Sequence, residues 1–241
     1  MTNKPKILMI GRHGKAPQLP EGGSADTLVD ETITQLYDVG VPLSEFGFDE
    51  GNSVLAHTKA KRTRTTGEAV LAGAFGYKRP ETVEQLAKIY DGGNLDVVVQ
   101  DNRLNLRSPQ GNMTLYKKHG AGQGINFWLA NPDATEHEGE KICPYNNIEP
   151  ATKSSMRDAV RRLVSNDNDL GVVVTHASMV EPCMFALVNS ARKYPVDKVE
   201  DIGGILDMAE FGQLKIEKSS GVYKATLNIK GQDYAVDLNK I

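Results

Sequence analysis

The sequence has 241 residues, of which 39% are hydrophobic and 24% charged, and its formal net charge is −3. These values are ordinary for a globular protein, and the missing basic excess excludes a general nucleic-acid binder. No apolar run approaches the ~20 residues of a membrane span, and the N-terminus does not resemble a secretory signal. We therefore predict a cytoplasmic protein without nucleic-acid or membrane partners.

The N-terminal half of the chain alternates strand and helix patterns. The short apolar run 7–10 predicts a buried strand. Residues 15–40 are rich in Gly, Pro, Asp and Thr, which predicts a long loop. A second strand is predicted at 54–58 and a helix over 63–75. Residues 91–112 are rich in Gly, Asn and Asp and are predicted to be mostly loop.

The C-terminal half continues the alternation and then changes character. Apolar residues at helical spacing predict helices over 113–129 and 154–164. The run 171–175 predicts a buried strand, and a further helix is predicted over 178–192. Three final segments alternate apolar and polar residues with turns between them, which predicts an antiparallel meander over residues 211–216, 222–229 and 234–238.

These elements together predict the α/β fold class. The expected architecture is a three-layer sandwich with a mostly parallel central sheet flanked by helices, plus the C-terminal antiparallel meander. We predict one domain spanning residues 1–241, with loop insertions near residues 15–40 and 91–150. The sequence does not indicate an oligomeric state.

Two of the predicted strands end directly at a histidine. The first strand leads into Arg12 and His13, and the strand at 171–175 leads into His176. Ligands in open α/β sheets bind outside the carboxyl ends of the strands, so the two histidines are predicted to share one site. His119 and His137 stand in loop-rich sequence without partners at ligand spacing, and both are predicted to be surface residues.

A basic, threonine-rich run at residues 57–66 supplies a third candidate element. It contains Arg62 and Arg64 and precedes the predicted helix over 63–75. Backbone N–H groups and the dipole at a helix N-terminus favour bound phosphate. The run is therefore predicted to contribute to an anion site.

Three motifs of this sequence resemble the histidine phosphatase superfamily, the phosphoglycerate mutase-like proteins. They are Gly-Arg-His-Gly at 11–14, Arg-Thr-Arg-Thr-Thr at 62–66, and His-Ala at 176–177 after a hydrophobic strand. Leu-Ser-Glu-Phe-Gly at 43–47 also resembles a segment of that family. The resemblance covers residues 7 to about 190 in the family's order.

The resemblance implies a role for each matched residue. His13 would accept the phosphoryl group, which Arg12 and Arg62 would bind, and His176 would complete the pocket. Neighbouring Gly14, Lys15 and Ala177 would contact the substrate, and no metal or cofactor would be needed. Arg64 is the alternative to Arg62. Phosphoryl transfer depends mainly on positioning and charge stabilisation, which fits two arginines around a histidine nucleophile.

The proton donor is where the sequence departs from the family. Lys88 stands where many members have a glutamate, so another group must protonate the leaving alkoxide. Asp91 is the first candidate and Glu181 the second. Ser178 and Glu181 also match a helix capping box, which would give Glu181 a structural role. An enzyme without a dedicated acid is the third possibility, suited to phosphohistidine or acyl-phosphate substrates.

The function predicted from these residues is a phosphatase that hydrolyses phosphate monoesters, or a phosphoprotein, through a phosphohistidine on His13. One alternative is a phosphoglycerate-type mutase, although Lys15 and its neighbours replace the Glu-Ser of mutase-like members. A second alternative is a catalytically weak phosphate-binding module, which the missing glutamate suggests.

Overall fold

The structure is a computed structural model, and it describes residues 4–20, 24–91, 97–105, 114–116, 118–165 and 168–241. Its strands are β1 (Lys6–Arg12), β2 (Ser53–His57), β3 (Val97–Gln100), β4 (Glu136–His137), β5 (Glu140–Lys141), β6 (Leu170–Thr175), β7 (Phe211–Ser219), β8 (Val222–Ile229) and β9 (Gln232–Val236). Its helices include α1 (Asp30–Gly40), α2 (Lys61–Ala74), α3 (Val83–Tyr90), α4 (Ala121–Ala130), α5 (Tyr145–Ser165) and α6 (Val180–Ala191).

The main sheet has seven strands in the order β3-β2-β6-β1-β7-β8-β9. Neighbouring strands from β3 to β1 run parallel, whereas β7, β8 and β9 add an antiparallel meander beside β1. The predicted α/β fold class is therefore confirmed, including the C-terminal meander. Because β1 and β6 are parallel neighbours, their carboxyl ends meet at the same edge of the sheet.

Alternate residues of β1 face two separate hydrophobic clusters, one on each side of the sheet. Ile7 and Met9 pack with buried side chains of α1 and α2, whereas Leu8 and Ile10 pack with those of α5 and α6. Side chains on successive strand residues point to opposite faces, so one strand can contribute to both clusters. The result is three layers: helices, sheet and helices.

Two stretches that were predicted to be loops contain regular structure. The loop predicted over 15–40 is wrong in its second half, where α1 buries Ile33 and Leu36. That helix also carries acidic residues in its first turn, where their negative charge interacts favourably with the positive end of the helix dipole. Within the predicted insertion at 91–150, the structure has β3 and the hairpin β4–β5, and α4 overlaps the helix predicted over 113–129. Residues 92–96 and 106–113 of that insertion lie outside the described residues.

The structure also bears on the predicted absence of a membrane segment. Within the described ranges, no helix is both long enough and apolar enough to cross a membrane.

Candidate active site

The parallel pairing of β1 with β6 brings His13 and His176 together. Arg12, the last residue of β1, stands opposite Thr175, the last residue of β6. The backbone N–H of His13 donates to the carbonyl of Thr175 at 3.1 Å, which extends the ladder by one residue. The two imidazole rings lie edge to face with their centroids 5.1 Å apart. The sheet edge thus carries a pair of histidines at the end of two central strands.

His13 has the protonation state of a nucleophile. Its Nδ1 lies 2.7 Å from the carbonyl oxygen of Gly14. A carbonyl can only accept, so Nδ1 carries the proton and Nε2 keeps its lone pair. Burial, together with the charges of Arg62 and Arg12, lowers the pKa of His13 to about 4, although the bond to Gly14 opposes that shift. The ring is therefore neutral at neutral pH.

His176 is held on the opposite side by a threonine. The hydroxyl of Thr58 lies 3.1 Å from Nε2 of His176 and 3.0 Å from the hydroxyl of Thr63. Burial, and after it the neighbouring His13 and Arg62, lowers the pKa of His176 to about 3. Since both histidines are neutral, the positive charge in the site comes from the arginines.

Arg62 lies at the histidine pair and Arg64 does not. Arg62 is in the first turn of α2, and its charge lowers the pKa of both His13 and His176. Its Nη1 donates to the carbonyl of Ala25 at 3.0 Å, while its buried Nε has no hydrogen-bond partner among the described residues. Nε of Arg64 instead donates to Glu68 at 2.8 Å. The geometry thus favours Arg62 as the residue of this helix that meets a substrate.

Arg12 is held by a loop residue that also bonds to the buried carboxyl of Glu181. Its Nη1 donates to the carbonyl of Leu206 at 3.4 Å, and the N–H of Leu206 donates to Oε1 of Glu181 at 3.1 Å. Glu181 is 1% exposed, and burial raises its pKa to about 6 against the opposing charge of Arg12. Nε of Arg12 is buried without a partner within the described ranges. Glu181 is therefore linked to Arg12 through Leu206 and supports its position.

The predicted capping role of Glu181 is wrong. Helix α6 begins at Val180, and its N-cap residue is Met179 rather than Ser178, with no side-chain cap hydrogen bond. The Glu181 carboxylate bonds instead to the N–H of Leu206, 25 residues away. A long-range bond of this kind leaves no trace in local sequence spacing, so the capping pattern was misleading.

Gly14 fits a space that no larger residue could occupy. A Cβ at this position would lie 2.2 Å from Cγ2 of Thr32 on α1. The N–H of Gly14 donates to the hydroxyl of Thr66 at 3.0 Å, and that hydroxyl donates to the carbonyl of Arg62 at 2.8 Å. Thr66 thereby couples the segment after His13 to the helix turn that carries Arg62.

Lys15 and Ala177 stand beside the histidines in different settings. Lys15 is exposed on the rim of an open groove lined by Val29, Glu31, Thr32, Gln35, Met208 and Ala209. Ala177 is half-buried in the turn that joins His176 to α6. Two helices also begin shortly after strands that end at this site, α2 after β2 and α6 after β6. The N-terminus of a helix favours a bound anion.

Two exposed carboxylates, Asp91 and Asp26, are placed very differently. Asp91 is exposed at the C-terminal end of α3, and no contact among the described residues links it to the histidine pair. Lys88 on the same helix is bonded to Glu84. Asp26, by contrast, accepts from the backbone N–H of Arg62 at 3.4 Å, and its charge opposes the lowering of the His176 pKa. Asp26 is exposed and adjoins Arg62, so it is a carboxylate that a substrate in the site could contact.

Sequence reasoning missed Asp26 and Thr58. Thr58 had a signal, because the strand predicted at 54–58 ends there, at the same edge as the histidines. In the structure His57 pairs with Val174 in parallel register, which places Thr58 beside the end of β6. No local sequence pattern indicated Asp26, because it stands in an irregular segment and the path of the loop brings it to Arg62.

The charge of the site suits an anion and not a metal. The His13 ring donates through Nδ1, and two arginines surround the pair. A cation would meet two guanidinium charges there, whereas a phosphoryl group would meet donors that lack partners among the described residues. The geometry can thus hold a tetrahedral oxyanion against Nε2 of His13.

Solved structures with this fold support the architecture. The chain aligns with mycobacterial hydrolase 2 at a TM-score of 0.53 and 16% identity, covering 98% of this chain and 94% of that one. It aligns with mycobacterial glucosyl-3-phosphoglycerate phosphatase in complex with VO3 at a TM-score of 0.52 and 15% identity, and the alignment covers 94% of this chain and 98% of that one. It aligns with phosphoglycerate mutase from Bacillus anthracis str. Sterne at a TM-score of 0.52 and 14% identity, and the alignment covers 95% of this chain and 94% of that one.

No protein-family model and no curated relative matches the sequence. The chain nevertheless has the phosphoglycerate mutase-like fold, as its motifs predicted.

Proposed function

We propose that this chain is a phosphohydrolase that forms a phosphohistidine on His13. One observation carries the proposal: a neutral His13, with its Nε2 lone pair available, lies beside His176 and two arginines whose Nε groups have no partner among the described residues. Phosphoryl transfer needs a positioned nucleophile and charge stabilisation of the equatorial oxygens. The likeness in fold to phosphatases adds support.

In the first step Nε2 of His13 attacks the phosphorus of a phosphate monoester. The bond from phosphorus to the ester oxygen breaks as the N–P bond forms, and the leaving alkoxide takes a proton. Arg12 and Arg62 bind the phosphoryl oxygens, where guanidinium forks can hold two oxygens at once. The Nδ1–H bond to the Gly14 carbonyl stabilises the positive charge that develops on the ring. Water then attacks phosphorus as the N–P bond breaks, and its proton passes to the carboxylate that protonated the leaving oxygen, which releases phosphate and restores neutral His13.

We propose Asp26 as the group that protonates the leaving oxygen. It is exposed and lies against Arg62, whereas Glu181 is buried and linked to Arg12 through Leu206. A general acid must come within hydrogen-bond reach of the leaving group, which a fully buried carboxyl bonded to the Leu206 backbone does not. The role of Asp91 as the proton donor, the first choice from the sequence, stays a prediction, and the same experiment tests it.

Asp26→Asn is expected to slow the hydrolysis of alkyl phosphates by about 10²–10⁴ and to change little with an aryl phosphate. The reason is that an activated aryl leaving group departs without a proton. The measurement is kcat/KM for both ester types, compared as a ratio. Glu181→Gln should lower both rates alike, because it disturbs Arg12 and not the leaving group.

Asp91→Asn is the matched control, since it removes an exposed carboxylate elsewhere on the surface. A changed ratio in Asp91→Asn with none in Asp26→Asn would return the role to Asp91. If Asp26 only caps α2, its variant should lose about 1 kcal/mol of stability with the ratio intact. An unchanged ratio in all three variants would mean that the site has no dedicated acid.

The substrate class follows from the surroundings of the site. The groove beside Lys15 can accept the part of a small phosphorylated molecule that leaves with the ester oxygen. The direct test of the proposed function is phosphate release from a panel of monoesters, with vanadate as the inhibitor. Absence of turnover on every ester and acyl phosphate would leave a phosphate-binding module instead. The cytoplasmic location predicted from the sequence stays a prediction.

A further inference from the structure

A second cluster of side chains with ligand chemistry lies away from the proposed active site. His119 precedes α4, and His137 and Glu138 stand at the tip of the β4–β5 hairpin. Nε2 of both histidines and a carboxylate oxygen of Glu138 lie within 4.8 Å of one another. His119 and His137, both predicted to be surface residues, are partly exposed, and the structure shows that they are also neighbours. The hairpin brings His137 to His119 although the two are 18 positions apart in the chain.

The separations within this cluster match a metal coordination shell. Oε1 of Glu138 lies 3.4 Å from Nε2 of His119 and 3.8 Å from Nε2 of His137. In a tetrahedral zinc site with bonds of about 2.0–2.1 Å, neighbouring ligand atoms lie about 3.3–3.4 Å apart. The third pair, Nε2 of His119 and Nε2 of His137, lies within 4.8 Å, so the two rings would have to draw together for all three atoms to close on one ion.

The two histidines direct nitrogens into this space that bind nothing else. Nε2 of His119 and Nε2 of His137 are buried and have no hydrogen-bond partner among the described residues. The rings stack edge to face at 5.4 Å, and the His137 ring also packs on Phe127 at 4.2 Å. Buried polar atoms are costly unless paired, so an ion would satisfy both nitrogens at once.

Glu138 occupies a backbone position that favours other residues. It has φ 49 and precedes Gly139 with φ 81, the two left-handed positions of a tight hairpin turn. Gly is preferred at such positions because it has no Cβ to crowd the carbonyl oxygen, and Asn and Asp because their short side chains can bond to the local backbone. Ser220 and Lys230 occupy the same position in the two hairpin turns of the C-terminal meander, so the turn alone does not mark Glu138 as a ligand. Lys118 bonds to Oε2 of Glu138 and leaves Oε1 to the histidines.

We propose that His119, His137 and Glu138 bind a zinc-type divalent ion. Two imidazoles and one carboxylate suit zinc, or cobalt, nickel and copper, better than magnesium or calcium, which prefer oxygen ligands. Three protein ligands leave a fourth position open to water or another molecule. The site is independent of the proposed phosphatase chemistry, because none of its residues contacts His13 or His176 among the described contacts.

The test is titration of the metal-free full chain with zinc(II), with binding followed by calorimetry and by metal content after dialysis. Wild type should bind one ion at this cluster. His119→Ala and His137→Ala should each weaken binding by at least about 100-fold, since even outer-shell partners contribute 10–100-fold. Because His137 packs on Phe127, its variant is also checked for an unchanged melting temperature without metal.

Glu138→Gly separates loss of the ligand from loss of the fold. Glycine adopts the turn without strain, so the metal-free variant should melt at or above the wild-type temperature while its zinc affinity falls. Glu140→Gln in the same hairpin is the control and should keep wild-type affinity. Zinc binding that survives all three ligand substitutions, or that His13→Ala abolishes instead, would overturn the proposal. So would a wild type that binds no zinc.

Discussion

His13→Ala is expected to abolish phosphate release and to prevent any acid-labile phosphoryl group from forming on the protein. The nucleophilic atom is Nε2 of His13, and His176 cannot replace it, since its own Nε2 is engaged with the Thr58 hydroxyl. The loss should amount to several orders of magnitude, as in other enzymes that lose a nucleophile. The measurement is steady-state phosphate release together with rapid quenching and detection of phosphohistidine.

The His13→Ala protein should keep its fold and still bind an oxyanion. Arg12 and Arg62 remain in place, so vanadate or phosphate should still raise its melting temperature. Release at a rate near that of wild type would contradict covalent catalysis by His13. A wild-type burst of phosphohistidine without further turnover would instead favour the binding-module alternative.

The strands that carry the site could be predicted because they are locally encoded. Apolar runs at 7–10 and 171–175 mark buried strands, and parallel strands in such sheets place their carboxyl ends together. The structure confirms the strands as β1 and β6. The placement of a histidine at the end of each strand could therefore be predicted from local sequence alone, and so could the fold class.

Helix α1 had a signal that the composition of its surroundings concealed. Ile33, Leu36 and Gly40 are buried at helical spacing, and Asp30 and Glu31 occupy the first turn. The Gly, Pro and Asp residues upstream led to a loop prediction for the whole stretch. Periodicity within a short window is the better guide there, because composition averages over a helix and the loop before it.

Other parts of the site depend on contacts that local sequence does not encode. Glu181 bonds to Leu206, and His119 meets His137 and Glu138, through the packing of elements distant in the chain. Their residue types are compatible with several local roles, such as the capping box suggested for Glu181. Only the tertiary structure distinguishes a cap from a support for Arg12.

Arg62→Ala is expected to lower kcat/KM by about 10³–10⁵, the range that charge-stabilising arginines contribute in phosphoryl transfer. Arg64→Ala is its matched control on the same helix turn. Arg64 is half exposed and paired with Glu68, so its loss should cost at most about 1 kcal/mol of stability and little activity. The measurement is kcat/KM for one aryl phosphate, with melting temperatures for both variants.

Arg62→Lys distinguishes charge from geometry at this position. Lysine keeps the positive charge but cannot bond two phosphoryl oxygens with a planar fork, nor bond to the Ala25 carbonyl as Nη1 of arginine does. We therefore expect a rate between those of wild type and Arg62→Ala. A large loss in Arg64→Ala with a small one in Arg62→Ala would contradict the assignment. In that case the residue that meets the phosphoryl group would be the one now paired with Glu68, and the helix turn would have to rotate on substrate binding.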